Sequence, residues 1–165
     1  MAARADLMDN WSWRAGPVEP SKAVVFDIDG VLSDAVGRQR FLERGRRDWD
    51  AFFEACGEDP LIGEIARLLE LLDQGLQIIL LTGRPLRVRP QTEAWLRRYG
   101  VRYDLLVMRD YGDYARVTVF KQRTVEELRA FGFDLRLAFE DDPLNREMFE
   151  REGVPCIYIH SGYYD

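Results

Sequence analysis

Short apolar runs alternate with longer amphipathic ones along this chain, and that alternation predicts its elements. Val24-Val25-Phe26 is a β-branched, apolar run that reads as a buried strand and ends abruptly in Asp27-Ile28-Asp29-Gly30-Val31-Leu32. Residues 61–74 carry Ile62, Ile65, Leu68, Leu69 and Leu72 at helical spacing and are closed by Gly75. A second strand over 76–81 runs into Thr82-Gly83-Arg84-Pro85. A helix over 91–99 stops at Gly100, and a third strand covers 103–108. The spacing then predicts a helix over 116–131 that contains Lys121, and a fourth strand over 135–139 that enters Glu140-Asp141-Asp142-Pro143. A helix over 144–151 and a fifth strand over 155–159 complete the series. Strand and helix in strict alternation imply an α/β fold with three layers, a five-stranded parallel sheet covered by helices on both faces.

Two stretches fall outside that rhythm. Residues 1–21 contain Asn10, Gly16, Pro17 and Pro20 without periodicity and read as an irregular arm, although Trp11 and Trp13 are unusual for a free tail. Such rings dock on the domain surface or on a neighbouring subunit. Residues 33–60 are polar and arginine-rich around Asp48-Trp49-Asp50-Ala51-Phe52-Phe53, and read as a small loop-and-helix, cap-like insertion too short to fold alone. The expected organisation is an arm over 1–21 and one domain over 22–165, the insertion at 33–60 belonging to it.

Composition narrows the class. At 165 residues with 47% apolar and 12% aromatic content, the chain is globular. No apolar run approaches membrane-spanning length and no signal peptide is evident, so the expected location is cytoplasmic and no membrane partner is expected. Cys56 and Cys156 match no metal spacing and are expected to be buried small apolar residues. A net charge of −6 argues against bulk nucleic-acid coating. The charge is uneven, however: Arg38, Arg40, Arg44, Arg46 and Arg47 form one cluster, and Arg84, Arg87, Arg89, Arg97, Arg98 and Arg102 another. Each reads either as a solvated helix face or as a holder of a phosphorylated substrate. The single histidine, His160, has no partner in ligand spacing, which argues against a zinc site or a Ser-His-Asp triad.

Catalysis must then run on carboxylates, lysine, hydroxyls and a hard metal. Ligands of parallel sheets sit at the carboxyl ends of the strands, and Asp27, Asp29, Thr82, Glu140 and Asp141 all fall on that edge. Asp27 and Asp29, two residues apart, leave their strand on the same face. Like charges so close need a cation or a shared proton. A carboxylate nucleophile suits phosphoryl transfer through an aspartyl-phosphate. Attack of anion on anion calls for a divalent cation, and an oxygen-only donor set points to Mg²⁺. A lysine and a hydroxyl stabilise the transferring phosphoryl oxygens, and a second carboxyl group moves the proton.

Asp27-Ile28-Asp29-Gly30-Val31-Leu32, Thr82-Gly83-Arg84, Lys121 and Glu140-Asp141 resemble the four ordered motifs of the haloacid dehalogenase-like (HAD) phosphatases, over nearly the whole fold. The resemblance implies Asp27 as nucleophile and Mg²⁺ ligand, and Asp29 as general acid/base with its backbone carbonyl on the metal. It implies Thr82 and Lys121 as phosphoryl-binding groups and Asp141, with Glu140 beside it, as the remaining metal ligand. The family usually has aspartate where Glu140 stands, and many members have arginine at Asp142, which leaves open which acid touches the metal. Asp48-Trp49-Asp50-Ala51-Phe52-Phe53, Thr92-Glu93-Ala94-Trp95-Leu96, the Met108-Arg109-Asp110-Tyr111-Gly112-Asp113 segment and Arg146-Glu147-Met148-Phe149 are similar to the 3′-phosphatase domain of phage-type polynucleotide kinase/phosphatases. No Gly-rich Lys-Ser/Thr loop of a 5′-kinase occurs.

The expected substrate is thus a phosphorylated nucleic-acid 3′ end, held by Gly83, Arg84 and Arg109. The small insertion implies an open site that suits a polymer end, with Trp49 and Trp95 as either base-stacking or packing residues. The competing readings are a 5′(3′)-nucleotidase acting on free mononucleotides and a non-catalytic phosphate-binding module. A receiver domain also combines such residues, but carries its accepting aspartate after the third strand.

Overall fold

A computed structural model describes residues 8–43, 45, 47–110, 113 and 115–165. Arg44 and Arg46 of the first arginine cluster, and Tyr111 and Gly112 of the segment after the third predicted strand, lie outside the described residues.

The chain runs β1 (Trp11–Trp13), β2 (Lys22–Phe26), α1 (Trp49–Glu54), α2 (Gly63–Leu71), β3 (Gln77–Pro85), α3 (Arg89–Arg98), β4 (Leu105–Arg109), α4 (Val117–Phe131), β5 (Asp134–Glu140), α5 (Pro143–Arg151) and β6 (Cys156–Tyr158). One sheet of six strands is ordered β1-β4-β3-β2-β5-β6. Its last five strands in chain order are parallel to one another, and they are the five expected from the apolar runs.

The sixth strand corrects the reading of the arm. Trp11–Trp13 pairs antiparallel with β4, Trp11 opposite Val107 and Trp13 opposite Leu105. Three residues are too few for a periodic signal. What holds the strand is aromatic packing: the Trp11 and Trp13 rings lie 5.3 and 5.8 Å from the Phe131 ring, at the end of α4. The tryptophans therefore dock on their own domain.

Alternation along each strand divides the core in two. Val24, Phe26, Ile78, Leu80, Leu106, Met108 and Phe139 face α2 and α3, where Leu69, Trp95 and Leu96 cover them. Ala23, Val25, Ile79, Leu81, Leu105, Val107 and Ala138 face α4 and α5, under Phe120, Val125, Leu128, Met148 and Phe149. A strand buried on both faces has no polar positions to alternate, which is why the sequence shows continuous apolar runs. Among the described residues no helix is long and apolar enough to cross a membrane.

The insertion packs tightly. A 3₁₀ helix over Val36–Leu42 precedes α1, which Asp48 caps by accepting the Ala51 N–H at 3.0 Å. Phe52 and Cys56 are buried beneath it. Arginines of the second cluster hold this assembly together. Arg87 pairs with Asp50 and Glu54 of α1, and Arg98 donates to the Gly57 carbonyl at 2.8 Å. Arg102 donates to the carbonyls of Leu69, Leu72, Asp73 and Leu76, satisfying the orphan acceptors at the end of α2. These side chains work within the fold and do not form a solvated stripe. Cys56 and Cys156 are free thiols, the first buried and the second half-buried.

Candidate active site

β2 ends where Asp27 begins. Its backbone N–H donates to the Phe139 carbonyl at 3.0 Å, tying β2 to β5 at the point where both strands run into acids. Asp27 Oδ1 accepts the Ile28 N–H at 2.8 Å and lies 3.1 Å from Lys121 Nζ. Lys121 comes from α4 and is fully buried, and its ammonium also donates to Glu140 Oε2 at 2.7 Å. Carboxylate oxygens of Asp27, Glu140 and Asp141 all lie within 4.8 Å of one another.

Three buried acids face one lysine, and the protonation of the group follows from that imbalance. Burial, reinforced by the Asp27 charge, pushes Glu140 up to about 8. Burial, with the charges of Asp27 and Glu140, pushes Asp141 up to about 10. Burial opposes the charge on Lys121, but Asp27 and Glu140 outweigh it and hold the ammonium above its usual range. Both oxygens of Asp141 are buried without a hydrogen-bond partner. Three acids against one lysine, oxygen-only donors and orphaned acceptors are the conditions that a hard divalent cation satisfies, so these residues fit Mg²⁺.

Gly30 makes the cluster possible. It adopts φ +80°, and a Cβ there would stand 2.0 Å from Asp141 Oδ2, so the turn after β2 admits the Asp141 carboxylate only because it has no side chain. Gly83 has a similar function at the end of β3. A Cβ on it would meet Val117 Cγ1 at 3.1 Å, at the start of α4. Beside it, buried Thr82 accepts the Arg84 N–H on Oγ1 at 3.1 Å and lines the same cleft as Asp27 and Lys121.

Asp29 takes no place among the three clustered acids with its carboxylate. Its Oδ1 accepts from Arg84 Nη2 at 2.7 Å and from Arg38 Nη2 at 2.6 Å, while Oδ2 has a longer contact with Arg84 Nε at 3.2 Å. Burial alone would raise this carboxyl, but the two guanidiniums outweigh it and hold it at about 2. Arg38 in turn donates from Nε and Nη2 to Asp59 at 2.8 and 2.7 Å, and Ser33 Oγ donates to Asp59 at 2.6 Å. Two arginines and two aspartates thus form a charge-balanced group that joins the insertion to the ends of β2 and β3.

The placement of the expected binding arginines differs from a role in tracking flanking phosphates. Arg84 is 0% exposed, and besides Asp29 its guanidinium donates to Thr92 Oγ1 and Ser33 Oγ. Such complete burial leaves nothing for a strand on the surface. Arg109 is half-buried at the end of β4 and donates to the Ala115 carbonyl. Trp95 is 1% exposed with its indole N–H on the Asp59 carbonyl at 2.8 Å, and is a packing residue.

Arg38 was visible in the sequence only as one arginine of a cluster. Asp59, buried at the end of the insertion, had no periodic signal at all. Asn145, on the first turn of the helix that follows the acids ending β5, was not singled out by the sequence either. It is buried, lines the cleft and accepts from Thr118 Oγ1 at 2.7 Å. Tyr163 and Tyr164 also reach the cleft, Tyr163 lying 3.3 Å from Asp34 Oδ1. The cleft holds about 700 Å³, with Asp27, Thr82 and Lys121 among its lining residues.

The model of the polynucleotide kinase PNKP phosphatase domain matches residues 21–164. The chain is similar to a protein in the Pnkp1/Rnl/Hen1 RNA repair complex, with 30% identity and a TM-score of 0.69 over 90% of this chain and 45% of that one. A second structure of the Pnkp1/Rnl/Hen1 complex gives 29% identity and a TM-score of 0.70 over 92% of this chain and 49% of the other. The chain therefore spans about half the length of these proteins. A class C acid phosphatase from Bacillus anthracis with tungstate bound shares the fold at 15% identity, with a TM-score of 0.62 over 89% of this chain and 69% of that one.

Proposed function

This chain belongs to the PNKP phosphatase-domain family of HAD phosphatases, and from that premise we propose that it removes 3′-phosphates from nucleic-acid ends, with Mg²⁺, through an aspartyl-phosphate on Asp27. The observation that carries the reading is the buried set of Asp27, Glu140, Asp141 and Lys121 at the sheet edge, with Thr82 lining the same cleft.

Asp27, Glu140 and Asp141 would hold the ion, which supplies a Lewis acid that offsets the charge of the phosphoryl group when bound. Lys121 and Thr82 bind the phosphoryl oxygens and orient the phosphorus toward the Asp27 carboxylate. Asp27 attacks, the bond from phosphorus to the 3′-oxygen breaks, and that oxygen takes a proton from Asp29. Because Arg84 and Arg38 hold Asp29 ionised, the proton arrives with the phosphomonoester, whose second pKa is about 6. Oδ2 of Asp29, with its single long contact, is the oxygen available to move it. Water then attacks the acyl phosphate, Asp29 takes its proton and passes it to solvent, and orthophosphate departs from Asp27.

The Pnkp1/Rnl/Hen1 matches, from an RNA repair complex, support a nucleic-acid substrate for this chain. The cleft of about 700 Å³ is also large enough for a single nucleotide, so the test includes mononucleotides. Phosphate release is measured with Mg²⁺ from a 3′-phosphorylated oligonucleotide, its 5′-phosphorylated twin, and 3′- and 5′-mononucleotides, with Asp27→Asn beside the wild type. Preference for the 3′-phosphorylated oligomer, lost in the variant, is expected. Preference for mononucleotides would replace the substrate while keeping the chemistry, and retained turnover in the variant would remove Asp27 as nucleophile.

A further inference from the structure

Two tryptophans of the sequence were open to either stacking or packing, and the structure separates them. Trp95 is in the core, whereas Trp49 is 47% exposed and lines the cleft that contains Asp27, Thr82 and Lys121. A large apolar ring left half in water needs a reason when the same helix buries its neighbour Phe52. Trp49 is also held firmly. Its ring stacks on Phe53 at 5.9 Å and 26° and meets Phe52 edge-on at 5.6 Å. Phe52 itself lies against Arg38, whose guanidinium carbon is 4.4 Å from the ring centroid. The platform is thus anchored to the residue that holds Asp29.

Trp49 also stands at a boundary. It lines the main cleft and, with Arg47, Asp48 and Asp50, a second shallow depression of about 560 Å³. Arg47 lines both. A fixed aromatic face with a cation next to it, on the path from a phosphate site to an outer groove, is the arrangement that binds single-stranded nucleic acid. Every base has a π-face, so stacking tolerates any sequence while the cation meets the backbone.

We propose that Trp49, with Arg47 beside it, is the platform on which the terminal nucleobase of a single-stranded 3′ end stacks while its phosphate lies over Asp27, Thr82 and Lys121. This rests on the 3′-phosphatase reading given above and adds to it the residue that meets the terminal base.

The test pairs a change in the protein with a change in the substrate. A 3′-phosphorylated DNA trinucleotide is compared with the same molecule carrying a tetrahydrofuran in place of the terminal nucleoside, in the wild type, Trp49→Ala and Trp49→Phe. The wild type is expected to favour the intact trinucleotide in kcat/KM by about 5- to 100-fold, the factor that one base–aromatic stack is worth. Trp49→Ala is expected to bring that ratio close to one, and Trp49→Phe to restore most of it. The ratio is internal to each variant, so a general loss of folded enzyme leaves it unchanged. If the ratio in Trp49→Ala equals that of the wild type, the platform is elsewhere and the proposal is overturned. If the wild type releases phosphate from neither trinucleotide, the 3′-phosphatase reading itself falls.

Discussion

Arg84 Nη2 lies 2.7 Å from Asp29 Oδ1, and this pair links the end of β3 to the end of β2 where no backbone ladder remains to hold them. Arg38 reaches the same oxygen from the insertion. The Asp29 carboxylate is therefore positioned by charge from two directions.

One consequence is an acid limit to stability. Asp29 is held at about 2 in the folded protein against an ordinary 3.8, so it stabilises the fold by about 2 kcal/mol above pH 4. A depressed carboxyl loses that contribution as pH falls, here between about 4 and 2. Thermal melts across this range are expected to show a steep fall in Tm for the wild type and a shallower one for Asp29→Asn, which starts lower at neutral pH because two buried guanidiniums lose their shared partner. Parallel curves would show that Asp29 does not carry the transition.

Arg84→Lys keeps the charge and loses the fork. A lysine has no second nitrogen with which to meet Asp29, Thr92 and Ser33 together. The expected result is a fall in kcat of about 100-fold, from a misplaced Asp29, with KM for the phosphorylated substrate little changed. A rise in KM without loss of kcat would instead mean that Arg84 binds substrate directly.

Gly30→Ala tests the approach of Asp141 to the turn. The new methyl would occupy space 2.0 Å from Asp141 Oδ2 at a backbone φ of +80°. The strain is expected to cost about 2 kcal/mol and to weaken Mg²⁺ binding, read by denaturant unfolding and calorimetry. Unaltered ion affinity would separate this turn from the metal site.

Mg²⁺ binding is expected to release protons. With Glu140 raised to about 8 and Asp141 to about 10, the ion-free cluster holds protons at neutral pH that a cation must displace. Affinity should rise with pH through this range. Calorimetric titrations in two buffers of different ionisation enthalpy should give different apparent heats, and identical heats would contradict proton-linked binding.

Much of the fold could be read from the sequence because a parallel sheet buries both faces of its strands. Val24-Val25-Phe26 is wholly apolar, residues 76–81 and 135–139 are apolar but for Gln77 and Arg136, and the structure extends the later two to Gln77–Pro85 and Asp134–Glu140. The acids at their ends were as visible, since a charge that breaks an apolar run marks its edge. What escaped the sequence was long-range. The pairing of Arg38 with Asp59, 21 residues away, depends on how the insertion folds back. Arg84 read as a substrate-binding arginine, and only its burial shows that its partner is Asp29. β1 was missed for a different reason: three residues contain too little pattern, and their partner strand lies almost a hundred positions later.

That late partner has an implication for handling the protein. The matched family region begins at residue 21, and a truncation made there would remove β1 and leave the backbone of Leu105, Leu106 and Val107 as an open sheet border beside the exposed rings of Phe131 and Phe133. Such a fragment retains Asp27, Thr82, Lys121, Glu140 and Asp141, yet it presents a sticky lateral seam to its own copies. The first strand, distant from the chemistry, works as a selvedge that keeps the sheet from growing.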